Sequence, residues 1–120
     1  MLTLENLSTP DAKVPLKSLS ANFEAGKIYT ILGRTGAGKT ELLRTLIGLD
    51  PISEGAIHLD GSDLVSTPIR AREMAMVYQQ FINYPHLDVL YNVAFPLRRK
   101  KLGKALARAK ARDALAIVGL

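Results

Sequence analysis

The stretch Gly33–Thr40 limits the possible folds of this chain more than any other. It matches the pattern G-x-x-x-x-G-K-[ST], whose fixed positions are Gly33, Gly38, Lys39 and Thr40. Glycine permits sharp turns and lets backbone approach a ligand closely, because it has no Cβ. The pattern predicts a glycine-rich turn that leads directly into a helix.

Such a turn suits a polyphosphate. Consecutive N–H groups from about Gly36 to Thr40 point inward as an anion nest, and the following helix adds its positive end. The ammonium group of Lys39 reaches the outer phosphates, and the Thr40 hydroxyl is a ligand for a bridging Mg²⁺. The predicted nucleotide-binding residues are Gly33, Arg34, Thr35, Gly36, Ala37, Gly38, Lys39, Thr40 and Glu41.

The flanking patterns predict an α/β fold. Residues 2–7 alternate apolar and polar side chains, which indicates a strand, and 55–59 indicate another strand closed by the turn Asp60-Gly61. The apolar runs 28–32 and 74–78 predict strands of a parallel sheet that is buried on both faces. We therefore expect a partial parallel sheet with an antiparallel addition.

Helices are expected in three places. The first follows the glycine-rich turn from Lys39 to Ile47 and stops at Gly48. The second begins after the cap Asp88 and is expected to kink or break at Pro96. The third follows Gly103.

Composition excludes several classes of protein. The chain has no cysteine, and hence neither a disulfide framework nor a thiolate metal site. Its N-terminus does not resemble a signal peptide, and it has no run of about 18 apolar residues that would span a bilayer. A membrane role is therefore expected to come through a partner.

The net charge of +5 is unevenly distributed. Eight Lys or Arg residues and no acid lie between Arg98 and Arg112. This stretch indicates either an anionic partner, nucleic acid or lipid, or a solvated helix face. The solvated face is favoured and no nucleic-acid partner is expected, because no aromatic residues alternate with the charges to stack on bases.

Most of the chain, from Leu2 to about Leu97, resembles the ATP-binding subunits of ABC transporters. The segments 46–50, 53–55 and 59–61 follow in the order and spacing of that family, and 76–87 is similar to its Q-loop. The sequence of residues 78–85 looks most like the same segment in importers of carbohydrates, polyols, glycerol or glycerol phosphate. The resemblance implies a P-loop NTPase fold, with residues 1–120 as the N-terminal part of an ABC ATPase domain.

The resemblance also assigns roles after the phosphate loop. Gln79 takes the position of the Q-loop glutamine, a catalytic residue with Lys39 and a Mg²⁺ ligand with Thr40. The residues expected to contact a transmembrane partner are Phe81, Ile82, Tyr84 and Pro85. Packing in the core of the domain is an equal alternative for Phe81 and Ile82.

The chain departs from the family pattern at several positions. The aromatic residue that stacks on adenine is absent from the expected slot near Pro10, within Ser8–Pro15. Glu41 replaces a Ser or Thr beside the α-phosphate, and its carboxylate is expected to repel the triphosphate. The usual Thr-Val-x-Glu-Asn reads Asp88-Val89-Leu90-Tyr91-Asn92.

Several family motifs do not occur in this sequence: the signature, the acidic Walker B strand and the switch histidine. His58 and His86 are expected to be structural rather than replacements for that histidine. Without the acids the Mg²⁺ site is half built, so this chain alone is expected to bind nucleotide weakly and to hydrolyse it poorly or not at all. The edges of its buried sheet are expected to be exposed.

The resemblance implies ATP and Mg²⁺ as cofactors and ATP-driven transport of a solute. The implied partners are a second ATP-binding subunit, transmembrane permease subunits and, indirectly, a solute-binding protein. The implied location is peripheral, on the cytoplasmic face of the inner membrane. The alternatives are a P-loop nucleotide kinase or GTPase-like enzyme and a nucleotide-binding fragment without hydrolysis.

Overall fold

The protein forms two compact units in a computed structural model that describes residues 1–10 and 14–120. The first unit, Met1–Val77, is a small sheet with one helix, and the second unit, Tyr78–Leu120, is a helical hairpin. None of the helices in the described residues is both long and apolar enough to cross a membrane.

The sheet of the first unit is antiparallel and has the order β2-β1-β3-β4. Its strands are β1 (Leu2–Ser8), β2 (Leu19–Phe23), β3 (Glu54–Leu59) and β4 (Ser62–Asp63). The predicted antiparallel addition is therefore confirmed. β3 and β4 are joined by Asp60 (φ 49°) and Gly61 (φ 81°), the left-handed pair that a tight hairpin requires.

The helix α1 (Lys39–Ile47) packs on this sheet as the sequence predicts. Leu42 and Leu46 lie one turn apart, and they join Leu4, Leu7 and Ile57 in one buried apolar cluster. This cluster anchors the helix that follows the glycine-rich turn.

Gly48 ends α1 in the left-handed conformation, at φ 85°. Its N–H donates to the carbonyl of Thr45 at 3.0 Å, and the N–H of Leu49 donates to that of Arg44 at 2.9 Å. The predicted glycine stop is confirmed.

The sequence predicts parallel strands at residues 28–32 and 74–78, and this prediction is wrong. Among the described residues neither segment joins the sheet, and the side chains of Ile28 and Val77 are 99% and 96% exposed. A strand buried on both faces needs a neighbour on each side, and the described residues of this chain supply none.

The second unit consists of α2 (Val89–Arg99) and α3 (Lys104–Ile117). The small side chains of Ala94, Ala107 and Ala111 are fully buried between the two helices, which allows close packing. The sequence predicts a kink or a break at Pro96. The break is wrong, because α2 continues through Pro96 to Arg99, and the kink stays a prediction. Only the last turn of the helix follows this proline, and the N–H of Lys100 still donates to the Pro96 carbonyl at 3.1 Å.

Candidate functional site: a phosphate loop and a helical hairpin

The loop that precedes α1 is a compact turn. The N–H of Ala37 donates to the carbonyl of Arg34 at 3.1 Å. Gly36 and Gly38 adopt φ values of +79° and +91°, where an L side chain is strained. Local backbone preference therefore produces the turn that the sequence predicts.

Gly38 is also held by contacts from outside the loop. A Cβ at this position would lie 3.1 Å from Leu16 Cδ2 and 3.4 Å from Val14 Cγ1. The side chains of Leu16 and Val14 thus pack against the loop at Gly38. Only glycine both avoids these side chains and adopts the positive φ without strain.

The side chain of Lys39 folds back over the loop. Its Nζ donates to the carbonyl oxygens of Gly33 and Arg34, both at 2.8 Å. The two hydrogen bonds fix a full positive charge at the mouth of the turn. An ammonium group has three donors, so one remains for a ligand.

The first turn of α1 presents uncapped N–H groups. No side chain caps Gly38, and among the described residues no acceptor binds the N–H of Gly36, Lys39 or Thr40. Such N–H groups and the helix dipole favour an anion. Glu41 lies in the same turn and brings the only negative side chain there.

The loop is open to solvent. The residues 33–37 and Thr40 are exposed, Lys39 is half-buried and Gly38 is buried. No side chain of the described residues donates to or accepts from the Thr40 hydroxyl, which leaves it available as a ligand for a metal ion. The described residues contain no cluster of three or more His, Asp or Glu that would hold a metal ion by themselves.

The predicted contact with adenine concerns the segment before β2. The predicted lack of an aromatic residue concerns Ser8–Pro15, of which residues 11–13 lie outside the described residues. Weak stacking of the base remains a prediction.

Gln79 and the expected partner-contact residues lie in the second unit, whereas the phosphate loop lies in the first. Gln79 is exposed. Phe81 is fully exposed and Ile82 is 71% exposed, so the alternative that these two side chains pack in a core does not hold in this structure. Pro85 is exposed as well, and Tyr84 is 43% exposed.

Asn92 organises the loop that follows these residues, a role that the sequence did not reveal. Its Oδ1 accepts from the N–H of Tyr84 at 2.8 Å, and its Nδ2 donates to the carbonyls of Tyr84 at 3.1 Å, Leu87 at 3.0 Å and Asp88 at 3.0 Å. The carboxylate of Asp88 caps α2 by accepting from the N–H of Tyr91 at 2.6 Å. One amide thus fixes the end of the exposed loop against α2. An Asn in the first turn after a capping Asp is the signal that identifies it.

Tyr91 links the two helices of the hairpin. The guanidinium carbons of Arg98 and Arg108 lie 5.5 and 5.3 Å from the centre of its ring. The Nε of Arg108 is buried without a hydrogen-bond partner, which is consistent with its position over the ring. At the position where the family pattern has a glutamate, this chain therefore holds two cations by cation–π contacts.

Comparison with known proteins identifies the family. A model of the ABC transporter family matches residues 16–120. The chain belongs to the ABC transporter family. Two solved structures of the ATP-binding cassette MJ0796 match all of this chain, which covers 58% of the cassette's own chain in each. One is a dimeric post-hydrolysis state bound to ADP and Pi, with a TM-score of 0.84 and 27% identity. The other is a dimer with a TM-score of 0.86 and 28% identity.

Curated relatives of the ABC transporter family are more similar in sequence. The chain is 44% identical over 105 residues to the spermidine/putrescine import ATP-binding protein PotA of Methylococcus capsulatus, covering 88% of this chain and 27% of that protein. It is 39% identical over 120 residues to the Fe(3+) ions import ATP-binding protein FbpC of Agrobacterium fabrum, covering 99% of this chain and 34% of that protein. The chain therefore spans about a third of the length of these relatives.

The predicted fold class is confirmed by these matches. The chain is α/β and follows the P-loop NTPase fold of ABC ATPase cassettes over its whole length. The match to the ABC transporter family also confirms the resemblance that the Q-loop and phosphate-loop segments indicate.

Proposed function

We propose that this chain binds the phosphates of ATP in the turn Gly33–Thr40. The observation that carries the proposal is the position of the Lys39 ammonium group, held 2.8 Å from two loop carbonyls above an uncapped helix terminus. The ammonium charge, the open N–H groups and the glycine conformations all lie within the eight residues Gly33–Thr40. This combination favours a polyphosphate over a neutral ligand.

Mg²⁺ fits the same surface only in part. The exposed Thr40 hydroxyl would supply one ligand. A ligand role for the amide oxygen of Gln79, which lies in the second unit, stays a prediction from the family resemblance. A bound Mg²⁺ neutralises phosphate charge and orients the outer phosphates. Neither side chain is a strong base, so the described residues around the loop bind and orient but do not activate water.

In a complete subunit, this site would power solute transport. We infer that residues 1–120 are the N-terminal part of an ATP-binding domain, because they cover 58% of the solved cassettes and about a third of the curated relatives. The names of those relatives support import. The similarity of 78–85 to glycerol and sugar importers favours a sugar, glycerol or glycerol phosphate as the solute, whereas the relatives are named for polyamines and iron.

The partners follow from the same proposal. A second ATP-binding subunit would complete the site, in keeping with the dimeric solved cassettes. The exposed side chains of Phe81 and Ile82, with Tyr84 and Pro85, would contact a permease subunit, because apolar and aromatic groups of this kind anchor interfaces. A solute-binding protein would act through that permease. The subunit would then lie on the cytoplasmic face of the membrane as a peripheral protein.

The chain alone is proposed to bind nucleotide without efficient turnover. A kinase or a GTPase-like enzyme is less well supported, because the family match covers residues 16–120. Release of phosphate from ATP by the purified chain, measured beside transfer to an added acceptor, distinguishes the three alternatives.

Lys39→Ala tests the binding site. A charge-assisted hydrogen bond contributes about 1.5–3 kcal/mol, so titration of a fluorescent ATP analogue with Mg²⁺ should show affinity reduced about 10- to 150-fold. Lys27→Ala is the matched control, since it removes the same charge from an exposed side chain paired with Glu24 outside the loop. Circular dichroism must show that both variants are folded. Equal affinity of Lys39→Ala and the parent chain would refute the assignment of the site.

A further inference from the structure

The excess positive charge of the protein belongs entirely to the helical hairpin. The second unit carries eight basic and two acidic side chains, whereas the first carries eight basic and nine acidic ones. The basic side chains of the hairpin form what we term the basic hairpin patch. Its members are Arg98, Arg99, Lys100, Lys101, Lys104, Arg108, Lys110 and Arg112.

Most of these cations are exposed, and none has an acidic partner among the described residues. All except the half-buried Arg108 are exposed. Within the described part of the chain, the salt bridges join Met1 to Asp60, Lys27 to Glu24 and Arg44 to Asp50, and none includes a member of the patch. The stretch from Arg98 to Arg112 therefore carries charge of one sign, which attracts an anionic partner.

The chemistry of the patch favours a lipid surface over nucleic acid. Proteins that bind single strands stack bases on exposed aromatic rings, and no aromatic residue lies between Arg98 and Arg112. The ring of the adjacent Tyr91 is already covered by Arg98 and Arg108. The apolar side chain of Leu106 is 53% exposed among the cations. Lysine and arginine around an exposed leucine are typical of segments that lie at anionic bilayer surfaces.

We propose that the basic hairpin patch binds the anionic phospholipid headgroups of a membrane directly. This inference goes beyond the proposed function, in which the membrane is reached only through a permease. It rests on the charges and exposure of the hairpin and not on nucleotide binding. Contact with the bilayer would orient the subunit and raise its concentration near its transmembrane partners.

The test compares two triple variants of the whole chain. Arg99→Gln, Lys101→Asn and Lys104→Gln together remove three charges from the patch. Asn suits position 101 because Lys101 has φ 62°, a left-handed conformation that Asn adopts readily. Arg98 and Arg108 are kept because they stack on Tyr91.

The control variant removes three exposed charges from the first unit: Lys17→Gln, Lys27→Gln and Arg70→Gln. Binding is measured by flotation with vesicles of phosphatidylcholine, with and without phosphatidylglycerol. Vesicles without the anionic lipid report apolar adsorption through exposed side chains such as Ile28 and Phe81.

We expect the parent chain and the control variant to bind the anionic vesicles selectively. Each cation at such a surface contributes about fivefold in affinity, so the patch variant should bind about 100-fold more weakly. Raising the salt from about 0.1 M to about 1 M, where the screening length falls from about 10 Å to about 3 Å, should release the parent chain. ATP binding by the patch variant should be unchanged, which separates this proposal from the proposed function.

Three results would overturn the proposal. The first is equal binding to both kinds of vesicle. The second is an equal loss in the patch and control variants, which would indicate net charge alone. The third is tighter binding of a single-stranded oligonucleotide than of anionic vesicles in the same buffer, which would indicate a nucleic-acid partner.

Discussion

Gly55 is the residue at which a single added methyl group should damage the first unit most. It is the second residue of β3, has φ +91° and lies against the irregular part of β1, where the pairing register shifts between Glu5 and Ser8. A Cβ at Gly55 would lie 2.4 Å from the Glu5 carbonyl oxygen and 2.6 Å from that of Asn6. Both atoms are backbone of a central strand, so they cannot move aside as a flexible side chain would.

Two effects add in Gly55→Ala. The left-handed conformation costs an L residue about 1–2 kcal/mol. Forcing a methyl group into a packed site costs about 1–3 kcal/mol more. The expected loss of about 2–5 kcal/mol is a large part of the free energy of unfolding of a unit this size, since domains have about 0.05–0.15 kcal/mol per residue.

Gly61→Ala is the matched control. Gly61 has φ +81°, and a Cβ there would meet nothing within 4 Å, so only the conformational cost of about 1–2 kcal/mol applies. Urea unfolding followed by circular dichroism should therefore place the midpoint of Gly55→Ala well below that of Gly61→Ala. Equal midpoints would show that β1 yields to the methyl group, and that the steric reasoning is wrong.

Three further predictions concern single side chains. Glu41→Ser should tighten ATP binding about threefold, because it removes a carboxylate from the first turn of α1. Two charges about 7 Å apart in water interact by about 0.6 kcal/mol. Equal or weaker affinity in a nucleotide titration would contradict this prediction. Tyr91→Leu should lower the free energy of unfolding of the hairpin by about 1–2 kcal/mol in thermal melts, since it removes the ring under two guanidinium groups. Tyr91→Phe keeps the ring and should retain most of that stability. Equal effects of both variants would rule out the cation–π contacts. The hydrogen bond from Arg44 lowers the pKa of Asp50 below its usual 3.8, so the stability from this pair is present above that pH and is lost as the pH falls below it. Urea midpoints are measured between about pH 5 and about pH 2.5, which bracket the usual pKa by about one unit or more. As the pH falls, the midpoint should decrease less steeply for Asp50→Asn than for the parent chain. Parallel curves would refute the linkage.

The elements that the sequence predicted correctly depend on neighbours in the chain. The glycine-rich turn Gly33–Thr40 forms because Gly36 and Gly38 accept positive φ values at no steric cost. The turn at Asp60-Gly61 and the stop at Gly48 have the same local origin. A helix whose apolar residues recur every turn, such as Leu42 and Leu46 in α1, also follows from local periodicity.

The predictions that were wrong depend on distant parts of a chain. An apolar run such as 28–32 indicates that a segment can be buried, but burial itself requires strands on both sides. In this structure the pairing does not occur among the described residues, so Ile28 and Leu32 are 99% and 87% exposed. The role of Tyr91 went unnoticed for a related reason. Its partner across the hairpin, Arg108, is set by packing, which no local pattern records.

Binding of nucleotide is expected to depend on residues close together in the chain, whereas hydrolysis depends on distant ones. The groups proposed to hold phosphate lie within one short stretch, and α1 is fixed to the sheet through Leu42 and Leu46, independently of the unpaired segment before the loop. A phosphate site can therefore form in this chain on the strength of its own contacts. Hydrolysis needs a base and a set of acidic metal ligands. The described residues contain no cluster of three or more His, Asp or Glu, and Glu41 is the only acid in the first turn of α1. We therefore expect a purified chain in which Lys39 controls ATP affinity while phosphate release stays near the uncatalysed rate. Rapid release of phosphate that disappears in Lys39→Ala would mean that this stretch carries catalytic groups of its own, and the separation of binding from turnover would be wrong.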